Sequence, residues 1–317
     1  MKVLITGGGG FIGSHLADRL LADGNEVLSI DNHATSRRGN LTEQQGLTVV
    51  EGSISDRRTV HSAFSDFGPE AVAHAAASYK DPEAWVEDTR TNALGTVNVV
   101  EAAREAGVER LVYFQTALCY GTHPTEQPIS LSHPLGPDSS YAISKTAGEQ
   151  YVELSGIPFV SLRLANIYGP RNVSGPPPTF WQRLTEGRPC FVMETRRDFI
   201  YVSDLIEVAN AALAGTGQGH YHVSTGSDYS IKEMFDAVVD AIGIELTEEV
   251  EVRPAPPEDA PSILLDPKRT QEDFDWEARV PLSEGIKRAV AWYEQNGVGE
   301  TYTHLKAEEV KVKAESS

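Results

Sequence analysis

The sequence predicts an α/β protein: a doubly wound parallel sheet with helices on both faces, followed by a smaller C-terminal α/β part. Three observations carry this expectation. The chain opens on a short apolar run, a four-glycine turn and a helical pattern. Short apolar runs then recur with helix-length segments between them. After Asn166 the texture changes to short runs joined by Pro- and Gly-rich connections.

The elements follow in order. Val3–Thr6 is the first strand, stopped by Gly7–Gly10. A helix pattern starts near Ile12, with Leu16, Leu20 and Leu21 on one face, and a second strand, Val27–Ile30, ends on Asp31. Further strands are expected at Leu47–Glu51, Ala71–Ala75, Leu111–Gln115 and Phe159–Arg163. Asn92–Ala106 reads as a helix stopped by Gly107, and Tyr141–Ser155 as one stopped by Gly156. Such alternation gives a parallel sheet, whose ligands sit at the carboxyl ends of its strands. Beyond Asn166, Gly169–Thr179 reads as a loop, and Phe199–Val202 and Gly219–Ser224 as strands around a helix at Leu205–Ala214. Ile231–Ile242 and Ser283–Asn296 are amphipathic helices, and Val252–Ser262, rich in proline and acids, is an extended connection. The expected division is a dinucleotide-binding domain at 1–165, to which 199–224 return, a substrate-binding domain at 166–198 and 225–300, and a polar tail at 301–317.

Composition excludes several classes. At 317 residues and 40% apolar content the chain can bury a large core, and its apolar stretches are strand-sized, so no membrane partner is expected. Met1 leads straight into a strand, which leaves no room for a signal peptide. The two cysteines, Cys119 and Cys190, lack metal-ligand spacing. The expectation is a cytoplasmic protein without a metal. A net charge of −19 opposes binding to nucleic acid, and an anionic substrate would need locally placed cations.

Two constellations carry chemistry. In the first, glycines let the backbone approach a pyrophosphate whose charge sits at a helix N-terminus, and Asp31 closes the next strand, placed to accept hydrogen bonds from a ribose. Gly7, Gly10 and Gly13 fit the spacing, as do Gly8, Gly10 and Gly13. This is a Rossmann-type signature. In the second, Tyr141 and Lys145 share one helix face, four residues apart. A phenol titrates near pH 10, and a neighbouring ammonium lowers that value, so the pair can act as a general base. Thr116 closes a strand and can hydrogen-bond the reacting oxygen from a second direction.

The motifs TGGGGFIG (Thr6–Gly13), HAAA (His74–Ala77), TNALGTVNVVEAA (Thr91–Ala103) and FQTALCYG (Phe114–Gly121) follow one another in order. SYAISK (Ser140–Lys145), LRLANIYGPR (Leu162–Arg171) and RRDFIYVSDL (Arg196–Leu205) complete the series. Over about residues 1–298 the chain resembles the extended short-chain dehydrogenases/reductases of the sugar-nucleotide epimerase/dehydratase family. The resemblance implies a Rossmann-type domain with a smaller substrate-binding one, NAD as cofactor, and a nucleotide-sugar substrate. It implies that Gly7, Gly10, Phe11, Ile12 and Gly13 hold the pyrophosphate, Asp31 and Asn32 the adenosine ribose, and Ser53 and Ile54 the adenine. Ala75, Ala76, Ala77 and Asn92 would line the cofactor, together with Tyr141 and Lys145. Thr116, Tyr141 and Lys145 would be catalytic, and Asn166 and Arg197 would hold the substrate diphosphate. Tyr79, Lys80, Thr179 and Phe180, with Thr116, lie where the hexose is expected.

Three positions depart from the family pattern. Ser53 stands where an Asp is common, Pro261 stands where a second diphosphate-binding arginine is usual, and Ala117 and Leu118 follow Thr116 where dehydratases carry acids. Without an acid–base pair near C5 and C6, inversion at C4 of a UDP-hexose or UDP-uronic acid through a transient 4-keto sugar is the leading expectation. Lys80 would suit the carboxylate of a uronic acid. The alternatives are a 4-keto-sugar reductase, a 4,6-dehydratase, or a non-catalytic dinucleotide sensor on the same fold. Asp31 favours NAD over NADP, although Arg37 and Arg38 follow closely and can neutralise it. The resemblance further implies products that feed surface polysaccharides. It also implies a homodimer built from two copies of the helices at Asn92–Ala106 and Tyr141–Ser155, with Val97, Val100, Ala147 and Val152 as apolar positions.

Overall fold

A computed structural model of the chain describes residues 1–79, 81–255, 259–299 and 301. The first half alternates β1 (Lys2–Thr6), α1 (Phe11–Ala22), β2 (Glu26–Asp31), β3 (Leu47–Glu51), α2 (Arg57–Phe67) and β4 (Ala71–His74). Then come α3 (Trp85–Asp88), a π-helical turn (Thr89–Leu94), α4 (Gly95–Glu105), β5 (Arg110–Thr116), a 3-10 turn (Ala117–Tyr120), α5 (Ser140–Leu154) and β6 (Phe159–Leu164). The second half holds β7 (Asn166–Tyr168), α6 (Pro176–Thr185), β8 (Phe191–Met193), β9 (Arg196–Arg197), β10 (Phe199–Tyr201), α7 (Val202–Leu213) and β11 (Gly219–Val223). It ends with β12 (Tyr229–Ser230), α8 (Ile231–Ile242), β13 (Glu251–Arg253), β14 (Ser262–Ile263), α9 (Lys268–Phe274) and α10 (Leu282–Asn296).

Seven strands form one sheet in the order β11-β6-β5-β4-β1-β2-β3, and every pairing is parallel. Successive strands step outward from β1 in one direction to β3 and in the other from β4 to β6. The order therefore reverses between β1 and β4, where the crevice of such a sheet opens. Side chains alternate between the faces as the pleat requires. Val3 and Ile5 of β1 join Leu16 and Leu20 of α1 and Leu205 and Ala209 of α7 in one cluster. Leu4, between them, packs with Val60 and Phe64 of α2, Val99 of α4 and Val152 of α5 on the other face. With both faces covered, β1 reads as an unbroken apolar run.

The second half adds small sheets beside the crevice. β10 pairs with β7 outside the seven-stranded sheet, while α7 and β11 join the central layers. β9 lies between β12 and β14, and β13 pairs with β8. Two local expectations change, and one helix is new. The expected loop Gly169–Thr179 is entered by α6, because prolines at its first positions lose no helical hydrogen bond and have φ already set. The helix expected from Asn92 begins at Trp85 and passes through the π turn before α4. Helix α2, which no expectation covered, is capped by the Asp56 side chain on the Arg58 N–H and ends on Gly68 in the left-handed region. Among the described residues no helix is long and apolar enough to cross a membrane.

Candidate active site

The glycine turn sits at the carboxyl end of β1. Gly7 turns the chain with φ +70°, its N–H bonded to the Ile30 carbonyl at 2.7 Å, and Gly10 closes the turn back onto the Gly7 carbonyl at 3.0 Å. A Cβ on Gly7 would lie 2.7 Å from the Ala76 backbone, and one on Gly13 would lie 2.2 Å from the Gly7 carbonyl oxygen. Gly7, Gly10 and Gly13 are thus the register in which backbone itself is the limit. Phe11 and Ile12 open α1 just beyond, with no acid in its first turn, so its N-terminal dipole is available to an anion.

Asp31 ends β2 across the crevice. Its buried carboxylate accepts the Gly9 N–H at 2.8 Å, the His33 N–H at 2.7 Å and the Ser36 hydroxyl at 2.9 Å. Neither nearby arginine reaches it. Arg38 forks onto Glu51, and Arg37 donates to the Asn296 carbonyl while lying over Trp292. A 2′-phosphate would face the Asp31 carboxylate with no arginine beside it; the nearest basic side chain is His33, its Nδ1 3.7 Å away. The Asn32 side chain accepts its own loop's Ala34 N–H at 3.1 Å. Ser53 bonds the Ser55 hydroxyl at 2.8 Å, and buried Ile54 is tied through its carbonyl to Asn98.

Ala75, Ala76 and Ala77 leave β4 beside the turn, with the Ala76 N–H reaching the Thr6 hydroxyl at 3.3 Å. Beneath them Thr6, His74 and Thr96 form a buried chain at 2.6 and 2.8 Å. Burial pushes His74 down to about 3, so it is neutral there. Asn92, in the π turn, clamps two elements together. Its side chain takes both the N–H and the carbonyl of Ser78, at 2.8 and 2.9 Å, and donates to Ser144 of α5 at 3.0 Å. Tyr79 then meets the Tyr141 ring edge-on at 6.4 Å. Lys80 lies outside the described residues.

Ser139 caps α5 by accepting the Ala142 N–H, and Tyr141 and Lys145 follow one turn apart on one face of the helix. The Lys145 ammonium lies 4.1 Å from the Tyr113 ring centroid and is 2% exposed. Tyr113 and Gln115 of β5 both donate to the Lys145 carbonyl, at 2.8 and 3.2 Å. A Cβ on Gly148 would lie 2.5 Å from the Tyr113 hydroxyl, so the helix approaches the sheet closely there. Burial pushes Lys145 down to about 7, opposed by Glu149. Tyr141 departs from expectation: burial pushes its phenol up, and Tyr79 and Asp88 push the same way. Desolvation is the largest of these causes, and it favours the protonated phenol. Thr116 closes β5, and its hydroxyl oxygen accepts the Leu118 N–H at 3.2 Å, which leaves the hydroxyl proton to donate elsewhere.

The second-half residues divide. Asn166 opens β7 and bonds the Asp198 carbonyl through both its backbone and its side chain. Arg197 pairs with neither Asp198 nor Glu194. Its guanidinium holds Asp259 and the carbonyls of Ala260 and Arg196, while Asp198 is taken by Ser224 and Thr225. Burial holds Arg197 below its ordinary value, with Asp259 opposing. Pro261 supplies the carbonyl that accepts the Arg196 N–H at 2.9 Å. Thr179 bonds back to the Gly175 carbonyl on α6. Phe180 is 6% exposed and packs edge-on against Phe235 of α8. It sits on the inward side of an amphipathic helix that the sequence presented as loop. Sequence reasoning also passed over Gly148, although an isolated helix glycine is a signal of close packing. Among the described residues no group of three or more His, Cys, Asp or Glu can hold a metal.

Residues 3–224 match the NAD dependent epimerase/dehydratase family. A UDP-glucose 4-epimerase of Mycolicibacterium smegmatis is 34% identical over 316 residues, covering 92% of this chain and 98% of that one. The crystal structure of the Bordetella bronchiseptica enzyme WbmH in complex with NAD+ is 53% identical, with a TM-score of 0.90 over 93% of this chain and 99% of that one. WbmG of the same organism, in complex with NAD and UDP, is 47% identical, with a TM-score of 0.90 over 96% and 98%. The glycine cradle that a single Cβ would fill and the Asp31 carboxylate, which no arginine reaches, fit that cofactor. The chain belongs to the NAD dependent epimerase/dehydratase family.

Proposed function

We propose that the protein is an NAD-dependent epimerase that inverts C4 of a UDP-sugar, with Tyr141 as its acid–base. The observation that supports this reading is that α5 buries Lys145, one turn from Tyr141, against Tyr113 of β5, the strand that Thr116 closes. UDP enters the proposal from the WbmG complex and from the name of the mycobacterial relative. NAD, when bound, supplies the acceptor and donor of a hydride. Tyr141 takes the proton of the 4-hydroxyl, Thr116 donates a hydrogen bond to the same oxygen, and Lys145 holds the phenolate's charge. After the 4-keto sugar has turned over, Tyr141 would return the proton to the same oxygen. Asn166 and Arg197 hold the diphosphate meanwhile. Ala117 and Leu118 can neither protonate nor deprotonate a leaving hydroxyl, which disfavours elimination. Incubation with a panel of UDP-sugars, followed by NMR and mass, tests the reading. An isomer of unchanged mass is expected; loss of water or stoichiometric oxidation of NADH would replace it with a dehydratase or a reductase.

Arg197 tests the diphosphate anchor. Charge-assisted hydrogen bonds are worth about 1.5–3 kcal/mol, so Arg197→Met should raise KM by roughly 10- to 100-fold with a smaller effect on kcat. An unchanged KM would remove Arg197 from the anchor.

The same reading includes a homodimer. Val100 and Val152, expected on the contact face, lie in the core and are unavailable. The exposed large hydrophobic side chains along α3, the π turn and α5 are instead Trp85, Val86, Leu94, Ile143, Tyr151 and Leu154, with Trp85 68% and Leu154 79% exposed. Covering them with a second copy accounts for so apolar a face. Light scattering at micromolar protein should give twice the chain mass, and Ile143→Asp with Leu154→Asp should halve it; a wild-type monomer would overturn the dimer. Cytoplasmic location, a role in polysaccharide synthesis, and the division of cofactor and substrate binding between 1–165 with 199–224 and 166–198 with 225–300 belong to this reading.

A further inference from the structure

Thr6, His74, Thr96 and Asn92 are all buried, and the hydrogen bonds that join them have a direction that follows atom by atom. The Thr96 hydroxyl lies 2.6 Å from the Asn92 carbonyl, and only the hydroxyl has a proton to give, so Thr96 donates there. That spends its one proton. At its 2.8 Å contact with His74 Nε2, Thr96 therefore accepts, and Nε2 carries the hydrogen. The ring is neutral, between the Tyr113 ring at 5.4 Å and the like charge of Lys145, and has no second hydrogen. Nδ1 is then bare and accepts the Thr6 hydroxyl at 2.6 Å. The Thr6 oxygen in turn accepts the Ala76 N–H at 3.3 Å. The line runs one way, from Ala76 through Thr6, His74 and Thr96 to Asn92.

Both ends lie on functional segments. Thr6 directly precedes Gly7, and a Cβ on Gly7 would lie 2.7 Å from the Ala76 backbone. The first arm thus fastens the glycine turn to the segment Ala75–Ala77. At the far end Asn92, in the π turn, holds Ser78 by two bonds and Ser144 of α5 by a third. Helix α5 rests on that end: a Cβ on Gly148 would lie 2.7 Å from the Asn92 carbonyl and 3.0 Å from the Thr96 hydroxyl. Tyr141 and Lys145 stand on the same helix. An apolar side chain in place of His74 would make no demand for buried partners, whereas a fully satisfied polar line fixes a single arrangement.

We propose that His74 is a positioning residue of the reaction: as its Nε2–H tautomer it orders one line of hydrogen bonds, whose Thr6 arm sets the cofactor turn and whose Thr96 arm sets the helix of Tyr141 and Lys145. The inference rests on the roles given to those two residues above.

The test begins with 15N NMR of the histidine-labelled full chain, NAD-free and NAD-loaded, the His74 signals assigned by their absence in His74→Gln. Nε2 is expected as the protonated nitrogen and Nδ1 as the bare one, unchanged from pH 5 to 8. A bare Nε2, a doubly protonated ring or an average of the two tautomers would overturn the proposal. Thr96→Val should lower kcat by up to about 100-fold, the cost of a displacement near 1 Å, with a much smaller change in NAD affinity. Thr6→Val should do the reverse, weakening NAD binding by roughly 2- to 10-fold, the worth of one buried hydrogen bond, with a smaller effect on kcat at saturating NAD. Thr96→Ser and Thr6→Ser, which keep the hydroxyl, should return each property toward wild type. Mere packing predicts the opposite order, since Val keeps the shape and Ser removes a methyl. Serine variants worse than valine ones, or equal loss of both properties in both valine variants, would end the proposal. If a valine variant does not fold, His74→Gln and His74→Asn replace it. Gln offers a donor toward Thr96 and Asn an acceptor toward Thr6, so Gln should harm NAD binding more and Asn kcat more; equal effects would overturn the proposal. The tautomer is read without sugar, so a wrong tautomer leaves the proposed reaction standing, whereas a wild type that converts no UDP-sugar overturns that reaction first.

Discussion

Tyr141→Phe is expected to lower turnover by roughly 10²- to 10⁴-fold, the range of a lost general acid–base, while bound NAD is retained. The ring still packs against Tyr79, but no group at that position can take the 4-hydroxyl proton. Lys145→Met should do comparable damage and move the activity profile to higher pH. The sign follows from the environment: burial already pushes the Tyr141 phenol up, so removing the neighbouring cation leaves the phenolate still harder to form. Thr116→Val should be milder, since it removes one hydrogen bond worth about 1–3 kcal/mol in a buried site. Steady-state kinetics from pH 5 to 10, with NAD content measured after denaturation, checks all three. Near wild-type turnover in Tyr141→Phe would remove the protein from this enzyme class.

Gly13→Ala is expected to abolish NAD retention, weakening binding by on the order of a hundredfold or more, and to lower stability by about 1–3 kcal/mol. The new methyl would sit 2.2 Å from the Gly7 carbonyl and 2.8 Å from the Gly8 Cα, and both are backbone. No side-chain rotation relieves such a contact. The turn has to open, and that displaces the N–H groups that would face the pyrophosphate. Gly39→Ala is the control, because a Cβ there meets nothing within 4 Å. It should leave melting temperature and NAD content unchanged. Calorimetry with mass analysis of the released nucleotide decides; a Gly13→Ala protein that keeps its NAD would show that this turn does not hold the cofactor.

The parts of the molecule legible in advance are those with local causes. The apolar runs of β1, β2, β4, β5 and β6 are buried on both faces, so they stand out against the helices between them, while β3 at the sheet edge is largely exposed. Tyr141 and Lys145 share a face because a helix repeats every 3.6 residues, and no fold is needed to say so. Gly7 and Asp31 are informative for the same reason, each lying at the end of a strand within one short unit. The errors have a common origin too. Pro176–Pro178 were taken for loop because proline breaks helices everywhere except at their start. Val100 and Val152 read as surface because periodicity shows an apolar face without showing what covers it.

By itself, then, the sequence determined the wound α/β order, the glycine turn, the acid at the end of β2 and the tyrosine–lysine pair, all through interactions spanning fewer than about ten residues or one βαβ unit. Tertiary structure alone decided which charges meet. Arg197 finds Asp259 rather than its chain neighbours, Arg38 turns away from Asp31 to Glu51, and Glu149 locks Arg163 between helix and sheet. Electrostatic partners are chosen by distance in space and by the loss of water around them. Neither quantity is carried by spacing along the chain.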